Sequence, residues 1–246
     1  MTLDFCKGWT FCKEGRKPIP VDLPHDAMIT EPRDGSCRNG VNSGYFPGGK
    51  YIYEKTFDLD AAMIGKSIEL HFEGVYQNCS IYVGDRLAGW HRYGYTAFDV
   101  DISDFVKAGS NTVRVEVDNS LEPNCRWYSG SGIYRPVTLV IREKNHISKV
   151  HLETVDIHPA RIKVDVQTTQ ESEVLVEVYE NKRLVAKGAP GVLEIPDTKL
   201  WSAETPFLYK ILVKTDTDER IIPFGIRKLE WDAKQGFRVN GERILL

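Results

Sequence analysis

Asn111-Thr112-Val113-Arg114-Val115-Glu116-Val117-Asp118 is the stretch from which the fold of this chain is read. Its valines recur at every second position, with polar or charged residues between them. A pleated strand turns successive side chains to opposite faces, so this octet puts three branched apolar side chains on one face and leaves the other wet. A helix would scatter the same valines around its circumference. The pattern repeats outward from here. Arg161-Ile162-Lys163-Val164-Asp165-Val166-Gln167 alternates in the same way, and so does Glu173-Val174-Leu175-Val176-Glu177-Val178-Tyr179. Alternation and β-branched or aromatic content predict further strands over 51–59, 67–75, 79–83, 136–142 and 208–215.

Turn chemistry separates these runs. Gly84-Asp85 and Asn240-Gly241 each place a glycine where a tight hairpin demands a positive φ. Only Ile102-Ser103-Asp104-Phe105-Val106-Lys107 reads as helical, a single turn with serine or aspartate to cap its start and Gly109 to end it. The expected class is all-β. A length of 246 residues exceeds that of one ordinary domain, and a polar stretch at Glu143-Lys144-Asn145-His146 follows a complete strand. The boundaries expected are therefore 1–143 for a first domain, 144–229 for a second, and 230–246 for a closing hairpin. The second has the size of a seven-strand immunoglobulin-like sandwich.

Composition narrows the partners. Hydrophobic residues at 41% and aromatics at 11% fill a sizeable core, while acids and bases are mixed along the chain to a formal charge of −3. No basic stripe is present to neutralise phosphates or an anionic membrane, so neither nucleic acid nor membrane is an expected partner. No apolar run approaches the ~18 residues that span a bilayer. The five cysteines (Cys6, Cys12, Cys37, Cys79, Cys125) are scattered, with no C-x-x-C pair, which favours free thiols over a disulfide framework or a zinc site. Together with a start that lacks a leader-like apolar segment, this predicts a cytoplasmic protein.

The segment richest in chemistry is Arg126-Trp127-Tyr128-Ser129-Gly130-Ser131-Gly132-Ile133-Tyr134-Arg135-Pro136-Val137. Its glycines let the backbone turn sharply, and its aromatics offer flat apolar faces of the kind that grip the C–H face of a sugar ring. Ordinary packing of a loop is the alternative. Arg135 is expected to be a buried, paired arginine because it enters a core strand. Elsewhere, Asp99 and Asp101 share a strand face beside a capped turn and read as solvated or capping groups. His25 beside Asp26 offers an imidazole–carboxylate pair, but with no placed nucleophile its role is structural. His151 and His158 read as surface strand positions, and Cys125 as a bystander thiol.

The whole 126–137 string resembles the end of the sugar-binding domain in family 2 glycoside hydrolases of the β-galactosidase kind. The resemblance continues in order along the chain. It runs through Val21-Asp22-Leu23-Pro24-His25-Asp26, Gly44-Tyr45-Phe46-Pro47-Gly48-Gly49-Lys50-Tyr51, Phe72-Glu73-Gly74-Val75-Tyr76-Gln77-Asn78-Cys79 and Gly94-Tyr95-Thr96-Ala97-Phe98-Asp99-Val100. Leu200-Trp201-Ser202-Ala203-Glu204-Thr205-Pro206, Phe224-Gly225-Ile226-Arg227 and the tail from Gly236 through Ile244-Leu245-Leu246 complete it.

This resemblance implies a jelly-roll sugar-binding-type sandwich followed by an immunoglobulin-like one, with a (β/α)8 barrel of ~250 residues expected beyond position 246. Both glutamates of the family's retaining chemistry belong to that barrel, so no catalytic residue, cofactor or metal ligand is expected in the chain itself. In relatives an acidic residue in the loop before Gly-Ile-Tyr/Phe-Arg binds the substrate's hydroxyls. Here Cys125 or Arg126 fills its place, and Asn124, Arg126, Trp127 and Tyr128 are the expected substrate-binding residues. The implied function is the N-terminal portion of a retaining β-glycosidase, β-galactosidase first, inactive in isolation, with its own barrel and further copies as partners. A β-glucuronidase-type enzyme and a free-standing carbohydrate-binding module are the alternatives.

Overall fold

The computed structural model describes residues 1–234 and 236–245; Leu246, the last residue of the expected hairpin tail, lies outside them. The all-β expectation holds. Two compact units follow one another, Met1–Arg142 and Glu143–Leu246.

The first unit contains ten strands among its residues: β1 (Thr2–Asp4), β2 (Trp9–Lys13), β3 (Ile19–Val21), β4 (Lys50–Leu59), β5 (Ser67–Phe72), β6 (Asn78–Val83), β7 (Arg86–His91), β8 (Phe98–Asp101), β9 (Gly109–Asp118) and β10 (Val137–Arg142). They form a four-stranded sheet, β1-β10-β5-β8, and a six-stranded sheet, β3-β2-β4-β9-β6-β7. The alternation read at 111–118 becomes the middle of the larger sheet. Val113, Val115 and Val117 are buried, while Thr112, Arg114 and Glu116 keep access to solvent. Burying one such side chain contributes about 1.5–3 kcal/mol. Tyr51, Tyr53 and Trp9 fill the same core, and the Trp9 indole N–H donates to Phe5 O at 2.7 Å, so its one polar atom is not stranded.

The second unit comprises β11 (Ile147–Ile157), β12 (Ala160–Thr168), β13 (Leu175–Glu180), β14 (Arg183–Gly188), β15 (Gly191–Glu194), β16 (Tyr209–Lys214), β17 (Glu219–Phe224), β18 (Leu229–Asp232), β19 (Gly236–Val239) and β20 (Glu242–Arg243). A three-stranded sheet, β11-β12-β15, and a four-stranded one, β14-β13-β16-β17, enclose one core that includes Ile162, Val164, Val176, Val178, Ile211 and Val213. This is the immunoglobulin-like sandwich. A separate three-stranded meander, β18-β19-β20, closes the unit.

The hairpin signals behave as their chemistry requires. Gly84, at φ +57°, turns β6 into β7, and Asn240 and Gly241, at +53° and +85°, turn β19 into β20. The single helical turn expected at 102–107 shrinks to a turn over 102–105 and builds no helix. Phe105 N donates to Ile102 O in a single turn, while the Asn111 side chain accepts from Lys107 N at 2.9 Å and donates to Lys107 O at 2.7 Å. These sideways bonds satisfy groups that a helix would have to pair internally, and Gly109 opens β9 instead of ending a helix. Short 3-10 turns lie instead at Met28–Thr30, Gly40–Ser43 and Ala61–Met63.

Candidate functional site

The loop between β9 and β10 is held from both sides by polar contacts that reach far along the chain. Asn119, almost fully buried, donates through its amide to Ser131 Oγ and accepts from Asn124 Nδ2 at 2.6 Å. Asn124 N in turn donates to Asn39 Oδ1 at 3.0 Å, and the Glu122 carboxylate accepts from Arg38 N at 3.1 Å. Farther along, Ala27 N donates to Ser131 O and His25 N to Ile133 O, so the 25–27 segment runs beside the loop like a short strand. Asp26 completes the clasp, with Oδ1 accepting from Met28 N and Ser131 N and Oδ2 accepting from the Tyr128 hydroxyl.

Gly132 explains why this loop is rich in glycine. Its φ is +94°, its N–H and C=O both pair with Tyr76, and a Cβ there would lie 2.0 Å from the Tyr53 hydroxyl. Only a residue without a side chain fits that approach.

Beside the clasp lies an open cleft of about 420 Å³, which the β5–β6 connection, the β7–β8 connection and the β9–β10 loop line together. Tyr76, Tyr93, Tyr95 and Trp127 give it an aromatic wall, with Tyr76 and Tyr95 at 5.3 Å and Tyr93 and Tyr95 at 5.8 Å between ring centroids. The Trp127 indole N–H donates to the Tyr95 hydroxyl at 2.8 Å, which orients a ring that is 57% exposed. Gln77 Oε1 is buried behind the lining without a hydrogen-bond partner among the described residues. Arg126 is exposed at the rim, and no carboxylate belongs to the lining. Burial, with smaller effects from neighbouring groups, pushes the Tyr76 hydroxyl up to about 12, so it remains a neutral donor.

Of the four expected binding residues, Asn124, Arg126 and Trp127 line this cleft. Tyr128 lies outside its lining. Its ring meets Phe46 edge-on, and burial, reinforced by the bond to Asp26, holds its hydroxyl well above the ordinary tyrosine range. The sequence reading missed Tyr76, Gln77, Tyr93 and Tyr95. The aromatic pair around Gly94 has the same glycine-and-aromatic character as the 126–134 loop, and that was the signal available. Gly94 is itself obligatory, since a Cβ would lie 2.0 Å from the Tyr76 ring.

The isolated candidates resolve as follows. His25 and Asp26 do not pair; the imidazole Nδ1 lies 2.9 Å from the Tyr53 hydroxyl, because the chain turns the two side chains to different neighbours. Asp99 pairs with His71 at 2.7 Å, and Asp101 caps the 102–105 turn by accepting from Ser103 N. His151 is exposed on β11, whereas His158 sits in the turn after that strand. The Cys125 thiol donates to Trp127 O at 2.8 Å. Arg135 corrects the expectation of a buried pair. β10 begins two residues later, so the side chain stays exposed, with its guanidinium carbon 5.3 Å from the Tyr134 ring centroid. Stacking there avoids the cost of desolvating a charge.

Residues 43–143 match the family model for the glycosyl hydrolases family 2 sugar binding domain, and residues 137–227 match that for glycosyl hydrolases family 2. A putative beta-glucuronidase of Formosa agariphila is 32% identical over 92% of this chain, and a beta-galactosidase of Bacteroides ovatus is 31% identical over 91%. The chain spans 24% and 30% of those two proteins, respectively. Among solved structures, a glycosyl hydrolase family 2 member from Bacteroides cellulosilyticus superposes with a TM-score of 0.85 at 31% identity, covering 98% of this chain and 37% of that one.

Proposed function

Because the chain belongs to glycosyl hydrolases family 2, we propose that it forms the two leading sandwiches of a retaining β-glycosidase, with terminal β-galactosides as the first substrate class. The observation that carries this reading is the succession of both family models over 43–227 in a chain that covers only about a quarter to a third of its curated relatives. The 124–127 cleft contributes binding. A retaining glycosidase needs two carboxylates about 5–5.5 Å apart, and none lines this cleft. Trp127 and Tyr95 present ring faces to a sugar, and Arg126 donates to one of its hydroxyls. The partners proposed are a barrel of the same protein and further copies of it. The five cysteines are free thiols, which supports a reducing compartment, the cytoplasm.

A second reading, a β-glucuronidase, is supported by Arg126, a cation at the rim of a cleft without carboxylates, and by curated relatives of that kind. Nitrophenyl reporters test both. The 246-residue chain releases no nitrophenol from β-galactoside, β-glucuronide or β-mannoside, and the product of the longer reading frame releases it from the β-galactoside. Turnover by the isolated chain, or a reading frame that encodes no barrel, overturns the proposal; turnover of the β-glucuronide by the longer product selects the second reading.

A further inference from the structure

The strand register of the first unit assembles a row of side chains on the face of the six-stranded sheet that points away from the core. Trp90 on β7 pairs with Ser80 on β6, Ser80 with Glu116 on β9, and Glu116 with Ile52 on β4. The alternate positions Cys79, Ile81, Val115, Val117, Tyr51 and Tyr53 fill the core, so the pleat forces this row outward. Trp90 is 61% exposed, and the Arg92 guanidinium lies 5.0 Å from its ring centroid. One row along, Asn78, Asp118 and Lys50 are neighbours. These residues line a cleft of about 350 Å³.

We propose that this face is a second carbohydrate-binding surface, centred on Trp90 and taking an uncharged oligosaccharide. Three features select that occupant. The first is polarity, since a pyranose offers one apolar C–H face and a rim of hydroxyls, and the row offers one exposed ring, with the Arg92 guanidinium over one of its faces, beside donors and acceptors. The second is unspent bonding capacity, because the side chains of Asn78, Ser80 and Glu14 make no hydrogen bond to another described residue. The third is charge. Three carboxylates (Glu14, Glu116, Asp118) face two cations (Lys50, Arg92), a balance that gives an anionic polymer no net attraction. A protein partner would want a wider apolar centre, and here the outward apolar residues of the lining are Trp90 and Ile52. The strand carrying Trp90 is also the sheet's edge, which leaves room for a glycan to run past it.

The lining shares no residue with the loop cleft, yet the two adjoin through consecutive residues, Gln77 and Asn78 on one segment and Arg92 and Tyr93 on the other. A polysaccharide held on Trp90 is thereby kept beside the loop.

Affinity electrophoresis of the 246-residue chain tests the surface, with xyloglucan, β-1,4-galactan and hydroxyethylcellulose as neutral probes and polygalacturonate as the anionic one. At least one neutral polymer retards the chain. Trp90→Ala weakens that retardation by about ten-fold or more, the loss typical of truncating an aromatic anchor, and Val192→Ala, an exposed position of the second unit, leaves it within about two-fold, as independent sites do. Glu116→Gln and Arg92→Ala, which leave the ring in place, weaken it to a lesser degree, and they keep the test alive if Trp90→Ala misfolds. Unretarded wild-type chain in every neutral gel, stronger retardation by polygalacturonate, or loss on Trp127→Ala but not on Trp90→Ala overturns the proposal. So does a dimer in the analytical ultracentrifuge that Trp90→Ala dissociates, since the face then belongs to a second copy.

Discussion

The Tyr128 hydroxyl donates to Asp26 Oδ2 at 2.7 Å, joining residues 102 positions apart. The other carboxylate oxygen takes two backbone N–H groups, so one side chain closes the β9–β10 loop onto the 25–28 segment. Asp26→Ala strands three donors and is expected to cost about 2–3 kcal/mol, whereas Tyr128→Phe removes one bond and costs about 1 kcal/mol. Urea unfolding of the two variants beside the parent checks the ratio.

Gly132→Ala meets the Tyr53 hydroxyl at 2.0 Å in a backbone already at φ +94°. The expected loss exceeds about 3 kcal/mol, since strain and overlap act together. Gly130→Ala, at φ +69° with its closest approach 3.1 Å from the Asp26 carboxylate, costs about 1 kcal/mol. Thermal denaturation ranks them, and equal shifts would show that the approach to Tyr53 is not what constrains position 132.

Burial depresses the pKa of His25, with the Asp26 charge opposing it. The folded state therefore favours the neutral imidazole. Its contribution to stability is fully present above the unfolded value near 6.5 and declines as pH falls from there toward the folded pKa, by at most about 1.4 kcal/mol per pH unit. His25→Asn is expected to flatten that part of the profile. Urea midpoints at pH 7.5 and 5.5 for both proteins measure the difference, and parallel profiles would refute it.

In the second unit, Ile162 of β12 is fully buried opposite Leu193 of the edge strand β15, while Val192 of β15 is 55% exposed. Ile162→Ala is expected to cost about 2–5 kcal/mol, and Val192→Ala to stay within about 0.5 kcal/mol. Chemical denaturation followed by circular dichroism distinguishes them.

Much of the scaffold was legible because facing is a local property of a pleated chain. The valines at 113, 115 and 117 declare their buried side without reference to any other strand, and Asn240-Gly241 declares its turn by its own permitted φ values. Local signals misled where a distant group answered the backbone. Asn111 pairs sideways with Lys107, and the turn expected over 102–107 ends at 105. Arg135 stays in water although the strand start expected at 136 fell within one residue of the observed start at Val137; leading into a core strand did not bury the residue before it.

By itself, then, the order of residues determined the β class, the faces of the long strands, the tight hairpins and the aromatic, glycine-rich character of the 126–134 loop. Only the tertiary structure decided what that loop meets: Tyr95 for Trp127, Asp26 for Tyr128, Asn39 for Asn124. The physical reason is separation along the chain. The cleft is assembled from three connections that come together only once the sheets have packed, and no periodicity within any one of them encodes the other two.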